Sequence, residues 1–124
     1  MLSPLLEIDS FKEKLAGIGA SNGLSKPTVI EERLLSVKMK IMLSSKMFID
    51  IYYNEETKSM TSALILEGER VFGINGYPMK GSWHTHPARK AETHQPIHEI
   101  NLDEVVKRHL AVAEMIRKET KSKR

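Results

Sequence analysis

The sequence predicts a two-layer α+β domain, in which an N-terminal and a C-terminal helix cover one face of an antiparallel sheet. Near each end of the chain, apolar residues recur every three or four positions, which is the period of a helix. Between these stretches, residues 35–74 alternate between apolar and polar positions, as in half-buried strands. The connections are short, so neighbouring strands must run antiparallel. We therefore expect a meander of four to five strands between two helices, in one domain over residues 1–124.

The first helix is predicted to begin at Pro4, because Ser3 can cap a helix and proline suits its first turn. Its apolar face is given by residues at helical spacing: Leu5, Ile8, Phe11 and Leu15. We expect the helix to end near Gly17 and Gly19, before a loop over residues 20–27 that is rich in turn-forming residues.

Four alternating stretches predict four strands, over residues 35–43, 47–53, 60–66 and 70–74. Residues 82–86 could form a short fifth strand. In such a strand His84 and His86 would point to one exposed face of the sheet, and Trp83 to the other. The glycines in this part of the chain are expected in tight turns: Gly73, Gly76 and Gly81.

The C-terminal part of the sequence predicts a loop followed by a helix. The polar stretch over residues 88–100 is expected to be irregular. Asn101, with Glu104 three residues later, forms a capping box that predicts where the helix begins. Its inner face is predicted from the helical period: Leu102, Val105, Val106, Leu110, Ala113 and Ile116. The basic residues at 118–124 are expected to form a frayed tail.

The composition is that of an ordinary globular domain, with 40% apolar and 28% charged residues. No apolar run approaches the roughly 20 residues that span a bilayer, and the first residues do not resemble a signal peptide. We therefore expect a cytoplasmic protein without a membrane partner. Because the chain has no cysteine, disulfides, thiolate metal sites and cysteine nucleophiles are excluded. The low content of glutamine and asparagine beside many lysines and glutamates is typical of a thermophile.

Four of the five histidines lie within the short segment 84–98. The imidazole ring, with an unperturbed pKa of about 6.5, can donate or accept a proton near neutral pH, and it is also the commonest metal ligand. The cluster therefore predicts either a proton-transfer site or a metal site. The fifth histidine, His109, lies beside Lys107 and Arg108 and is expected to be solvated or to act as a cap.

One interpretation is a metal site. His84 and His86 would offer two imidazoles from one strand, and His94 or His98 would complete a three-nitrogen site with an open position. The set His84, His86 and His98 would hold zinc or manganese, and the protein would be a metal-dependent hydrolase.

The other interpretation needs no cofactor. His84 and His86 would form an acid/base pair, assisted by His94, in which one ring takes the 2′-hydroxyl proton of RNA and the other protonates the leaving oxygen. Arg70 would stabilise the charge that develops on the phosphate. Substrate-binding candidates are Trp83, which is more simply a residue of the sheet core, and two cations: Lys80 and Arg89. A non-catalytic binding module, whose imidazoles only hydrogen-bond loop carbonyls, also remains open.

Several short runs also occur in the order and spacing of one known family: Arg70-Val71-Phe72-Gly73, Trp83-His84-Thr85-His86-Pro87, His94, and Leu102-Asp103-Glu104-Val105. Through these runs the second half of the chain resembles the TumE-type toxins of prokaryotic toxin–antitoxin systems. The most specific shared element is the Trp-His-x-His-Pro motif with a histidine downstream. The resemblance implies a cytoplasmic endoribonuclease toxin whose partners are RNA and a cognate antitoxin protein. A homodimer is a further candidate assembly.

Overall fold

A computed structural model of the protein describes residues 4–88 and 93–122. Over these residues the chain forms two helices that enclose a run of seven strands. The helices are α1 (Pro4–Ser21) and α2 (Leu102–Ser122). The strands are β1 (Thr28–Glu32), β2 (Ser36–Met42), β3 (Met47–Asn54), β4 (Ser59–Leu66), β5 (Glu69–Tyr77), β6 (Ser82–His86) and β7 (Gln95–Pro96). A 3-10 turn over Pro78–Lys80 joins β5 to β6.

The strands form a single antiparallel meander in which each strand pairs with its neighbours in the sequence, in the order β1 to β7. This confirms the α+β class and the meander, but the sheet has seven strands instead of four or five. The sequence did not indicate β1 because all five of its residues are exposed, so no alternation marks it. It did not indicate β7 because that strand has only two residues, one of them Pro96.

Both helices pack on the same face of the sheet. The core between the two layers consists of apolar side chains from one face of β2 to β5 and from the inner faces of the helices; its fully buried members include Leu15, Ile41, Ile49, Ile51, Leu64, Ile74, Val105 and Val106. Phe11 of α1 stacks on Tyr53 of β3, with ring centroids 4.7 Å apart. The opposite face of the sheet carries no helix among the described residues, and we call it the open face.

Strand β5 is longer than predicted, and two of the glycines expected in turns lie inside it. Gly76 pairs with Trp83, and a Cβ atom at Gly76 would lie only 2.5 Å from the Trp83 ring. Glycine at this position therefore allows the indole to lie flat on the sheet, on the side of the helices. Gly81, in contrast, does occupy a turn, with a φ of 61°.

A bulge in β5 changes the direction of its first residues. Leu64 pairs with Phe72 but the next residue, Ile65, pairs with Arg70, so Val71 is an extra residue on this strand. Because of this shift, Arg70 lies on the open face together with Gly73.

The ends of the helices differ from the predictions in two places. Helix α1 continues through Gly17 and Gly19 to Ser21, because Ile18 packs against the core and offsets the weak helix propensity of glycine. Helix α2 begins as predicted, with the Asn101 Oδ1 atom accepting the Glu104 N–H at 2.9 Å. It then continues to Ser122, so residues 118–122 are helical and the prediction of a frayed tail is wrong there.

The sequence after Ile116 explains why the C-terminal helix is longer than predicted. The segment after Ile116 contains no glycine or proline, and lysine and glutamate are good helix formers, so nothing ends the helix early. Residues 123 and 124 lie outside the described part of the chain. Neither described helix is long and apolar enough to cross a membrane.

Candidate functional site

Two of the clustered histidines lie on β6 and face the same way. Thr85, between them, is buried and pairs with Ile74 of the core, so its neighbours His84 and His86 point to the open face. This confirms the predicted strand and the shared face. The expectation that both rings are exposed is wrong for His86, which is only 4% exposed, whereas His84 is half-buried.

The third member of the cluster is His94, which is exposed and precedes β7. Its ring stacks on that of His84, with centroids 4.7 Å apart and an angle of 6° between the ring planes. It also meets the edge of His86, at a centroid distance of 4.4 Å. His84 and His86 themselves are 5.1 Å apart. The three rings therefore form one compact group, which we call the histidine cluster.

Asn75 of β5 supports the cluster from the neighbouring strand. It pairs with His84 in the sheet, and its Nδ2 atom lies 3.2 Å from Nε2 of His84 and 3.3 Å from Nε2 of His86. An asparagine amide can present either its NH2 group or its carbonyl to two ring nitrogens. In either orientation Asn75 bonds to Nε2 of both rings, so both rings adopt the same tautomer.

The cluster also depresses the basicity of one of its members. The pKa of His84 is lowered from its ordinary value, first by burial and then by the positive charges that His86 and His94 would carry. His84 therefore stays neutral at a pH where an exposed histidine would begin to take up a proton.

Among the described residues, Arg70 is a cation that the fold brings near the histidines. The position of a Cβ atom on Gly73 would be 3.7 Å from Cδ of Arg70 and 3.6 Å from Cδ2 of His86. The Arg70 stem and the His86 ring thus both lie close to the space that a side chain at position 73 would occupy, and glycine leaves room for them. Arg70 therefore lies near His86, and its predicted role in stabilising charge stays a prediction.

The other predicted substrate-binding residues do not join the cluster. Trp83 lies on the face of the helices and packs against the core, so the simpler prediction of a core residue is confirmed. Lys80 is exposed in the 3-10 turn, and no described contact connects it to a histidine. Arg89 lies outside the described residues.

The metal-ligand set predicted with His98 is also wrong. The ring nitrogens that lie within 4.8 Å of one another belong to His84, His86 and His94. His98 is exposed further along the chain and, in the described part of the structure, contacts no member of this group. A tetrahedral zinc ion, at about 2.0–2.1 Å from each nitrogen, would hold its ligands roughly 3.3 Å apart. Small rotations of the three rings could therefore accommodate such an ion.

The fifth histidine is neither solvated nor a cap. His109 lies on the inner face of α2 and is completely buried, and this burial lowers the pKa of His109 to about 3. Ser62 donates its hydroxyl proton to the Ile74 carbonyl, so its Oγ accepts the Nε2–H of His109 at 2.8 Å. The ring also meets Phe72 edge-on, with centroids 5.0 Å apart.

Comparison with known proteins finds no relative: no protein-family model matches the chain, and neither does any curated protein or solved structure. The resemblance to the TumE-type toxins therefore stays a prediction. What can be said of function follows from the histidine cluster, its neighbours Asn75 and Arg70, and the open face on which they lie.

Proposed function

We propose that this protein cleaves RNA without a metal ion, and that it is the toxin of a toxin–antitoxin pair. The observation that carries the proposal is that three imidazoles and the side chain of Arg70 lie close together on the open face of the sheet. Cleavage of RNA needs two groups that exchange protons and one cation for the phosphate, and this group of side chains supplies all three.

The exposure of the rings assigns their roles. His84 and His94 are accessible and stacked in parallel, so they are the pair that can touch a substrate. His86 is covered by its neighbours and acts as a positioning residue, together with Asn75. The proposal thus keeps the predicted cluster but moves the acid/base pair from His84 and His86 to His84 and His94.

The chemistry follows from the protonation states. His84, whose pKa is lowered, is the neutral base: it takes the proton of the 2′-hydroxyl group, and the oxygen attacks the adjacent phosphorus. His94 donates a proton to the leaving 5′-oxygen. The products are a 2′,3′-cyclic phosphate and a free 5′-hydroxyl. Arg70 stabilises the additional negative charge on the phosphate oxygens as they become five-coordinate around phosphorus.

Asn75 completes this arrangement when its carbonyl faces the rings. It then accepts the Nε2–H groups of both His84 and His86, so that the lone pair of the His84 ring lies on Nδ1. A free Nδ1 is what His84 needs to act as a base.

The matched variants His94→Ala and His98→Ala test the proposal. Both residues are exposed, so neither change is expected to alter the free energy of unfolding by more than about 0.5 kcal/mol. Loss of a catalytic acid should lower kcat/KM for RNA cleavage by about 100-fold or more in the His94 variant and leave the His98 variant unchanged. Equal activity of the two variants would exclude His94 as the acid and contradict the proposed acid/base pair.

The toxin role and the antitoxin partner rest on the resemblance in the Trp83–His84–Thr85–His86–Pro87 run. Induced expression in the cytoplasm should arrest growth, and His94→Ala should relieve the arrest at an equal protein level. Growth arrest by both the wild type and His94→Ala would separate toxicity from the histidine cluster.

A metal-dependent hydrolase is the second candidate, favoured by the three ring nitrogens within 4.8 Å of one another. His84, His86 and His94 would hold a zinc or manganese ion that activates water. We place it second because the Arg70 side chain passes close to His86, and its positive charge opposes a divalent cation and favours a phosphate. Elemental analysis of the purified protein distinguishes the two candidates: about one equivalent of metal, with activity lost in EDTA, would support the hydrolase.

A further inference from the structure

Beside the histidine cluster, the open face contains a cavity of about 280 Å³. Its base includes Ala63 of β4, a small residue that pairs with Gly73 of β5 across the sheet. Asp50 of β3 continues this row on one side and His86 of β6 on the other. The small Ala63 side chain therefore leaves a depression between the Asp50 carboxylate and the Arg70 side chain, next to the histidine cluster.

The walls of the cavity combine an aromatic ring with polar groups. Tyr52, Thr61 and Asn75 form the next cross-strand row, which leads to His84. Arg70 closes the side toward the cluster. An aromatic ring, hydrogen-bonding side chains and a cation on one sheet face are the features with which proteins bind unstacked bases of single-stranded RNA.

The Asp50 carboxylate, in one wall of the cavity, has an oxygen atom that accepts no hydrogen bond among the described residues. The Asp50 Oδ2 atom lies 3.5 Å from Nζ of Lys38, while its Oδ1 atom is buried and has no hydrogen-bond partner among the described residues. An unpaired buried carboxylate oxygen is costly. The Asp50 side chain is 25% exposed and lines the cavity, so a rotation of its carboxyl group would turn this oxygen toward the N–H donors of a bound group.

We propose that this cavity binds the base of the nucleotide next to the cleaved phosphate, and that Asp50 selects guanine. The inference rests on the proposed RNA cleavage. A carboxylate offers only acceptors. Guanine is the base whose Watson–Crick edge presents two adjacent donors, N1–H and the N2 amino group. Adenine and cytosine place a ring acceptor beside their amino group, and uracil has carbonyls on both sides of its N–H, so each would bring lone pairs against Asp50.

The size and position of the cavity agree with this occupant. Its volume lies just under the about 300 Å³ at which pockets for drug-sized ligands begin, which suits a single base. Asp50 and His86 are three strands apart, or roughly 14 Å at about 4.8 Å per strand. The side chains of Asp50 and His86 extend into this gap from the two strands. A base that binds Asp50 therefore places its own phosphate near the histidine cluster and Arg70.

The test measures binding separately from cleavage. Single-stranded 2′-O-methyl hexanucleotides, which lack the attacking hydroxyl, differ at one position and are titrated with the full-length protein by fluorescence anisotropy. We expect about 10-fold or tighter binding of the guanine oligonucleotide over the other three, a typical value for one paired base contact. Asp50→Asn should abolish this preference. The charge-matched control Asp103→Asn, on α2 and paired with Lys107, should retain it.

The outcomes separate this inference from the proposed function. Binding without a guanine preference, or a preference that survives in Asp50→Asn, overturns the inference even if RNA is still cleaved. A guanine preference without cleavage supports the cavity and contradicts the proposed reaction. Should the Asp50→Asn melting temperature fall far below that of the wild type, Asp50→Glu, which keeps both acceptors, must still prefer guanine if the inference is correct.

Discussion

The buried His109 should make the stability of this protein fall at mildly acidic pH. Its ring is neutral in the folded state, because burial lowers the pKa of His109 to about 3. In the unfolded chain the same ring titrates with a pKa of about 6.5. Above pH 6.5 neither state binds a proton there, and the contribution of this ring to stability is complete. As the pH falls below 6.5, the unfolded state binds a proton that the folded state cannot accept until about pH 3, so the folded state loses stability.

The expected size follows from these two pKa values. Each pH unit between them costs about 1.4 kcal/mol, so a change from pH 7.5 to pH 5.0 should remove about 2 kcal/mol from the free energy of unfolding. The matched variant is His109→Gln, which does not titrate and still offers an N–H donor to Ser62. Other groups contribute to the pH dependence of both proteins and cancel in the comparison.

Urea denaturation of the wild type and of His109→Gln, at pH 7.5 and at pH 5.0, measures the effect. The wild type should lose about 2 kcal/mol more than the variant over this change in pH. His98→Gln, a change of an exposed histidine, should behave like the wild type. Equal losses in the wild type and His109→Gln would show that His109 is not held neutral, and would refute this account of its burial.

Three further results are expected. In the pH profile of kcat/KM for RNA cleavage, the acidic limb should have an apparent pKa below 6.5, because the lowered pKa of His84 keeps this ring neutral and active there. An apparent pKa above 6.5 would exclude His84 as the base. Arg70→Gln should lower kcat about 100-fold, while Arg117→Gln on α2 should not, and similar rates would remove the guanidinium from the mechanism. Gly76→Ala should lower the free energy of unfolding by about 1–3 kcal/mol in urea denaturation, because its methyl group would overlap Trp83, and an unchanged value would contradict that packing.

Local patterns in the sequence were sufficient for much of the fold. Alternation of apolar and polar residues located β2 to β6, and it placed His84 and His86 on one face because strand periodicity needs no tertiary information. The Asn101 cap was equally readable, since the side chain and the backbone N–H that it binds are only three residues apart.

The position of Arg70 could not be obtained from alternation. In a regular strand it would lie on the same side as Phe72 and Ile74, facing the helices. The bulge at Val71 reverses this direction and brings Arg70 to the open face. Where a bulge falls depends on pairing with β4, which a single strand does not reveal.

The buried position of His109 was indicated by the helical period, but the prediction followed its charged neighbours instead. Its charged sequence neighbours suggested solvent, yet it lies four residues after Val105 and four before Ala113, both of which are buried. The helical period alone therefore places it on the inner face of α2. The choice between His94 and His98, in contrast, depends on how an irregular segment folds back over β6, and periodicity says nothing about that.

The measurement that tests the central claim most directly is the cleavage of a single-stranded RNA in EDTA, compared with the same oligonucleotide carrying 2′-deoxyribose throughout. If His84 removes the 2′-hydroxyl proton, the RNA is cut to a 2′,3′-cyclic phosphate and a 5′-hydroxyl, and the deoxy oligonucleotide remains intact. An RNA that stays whole in EDTA and is cut only after zinc or manganese is added, or equal cleavage of both oligonucleotides, would contradict the metal-free acid/base reaction.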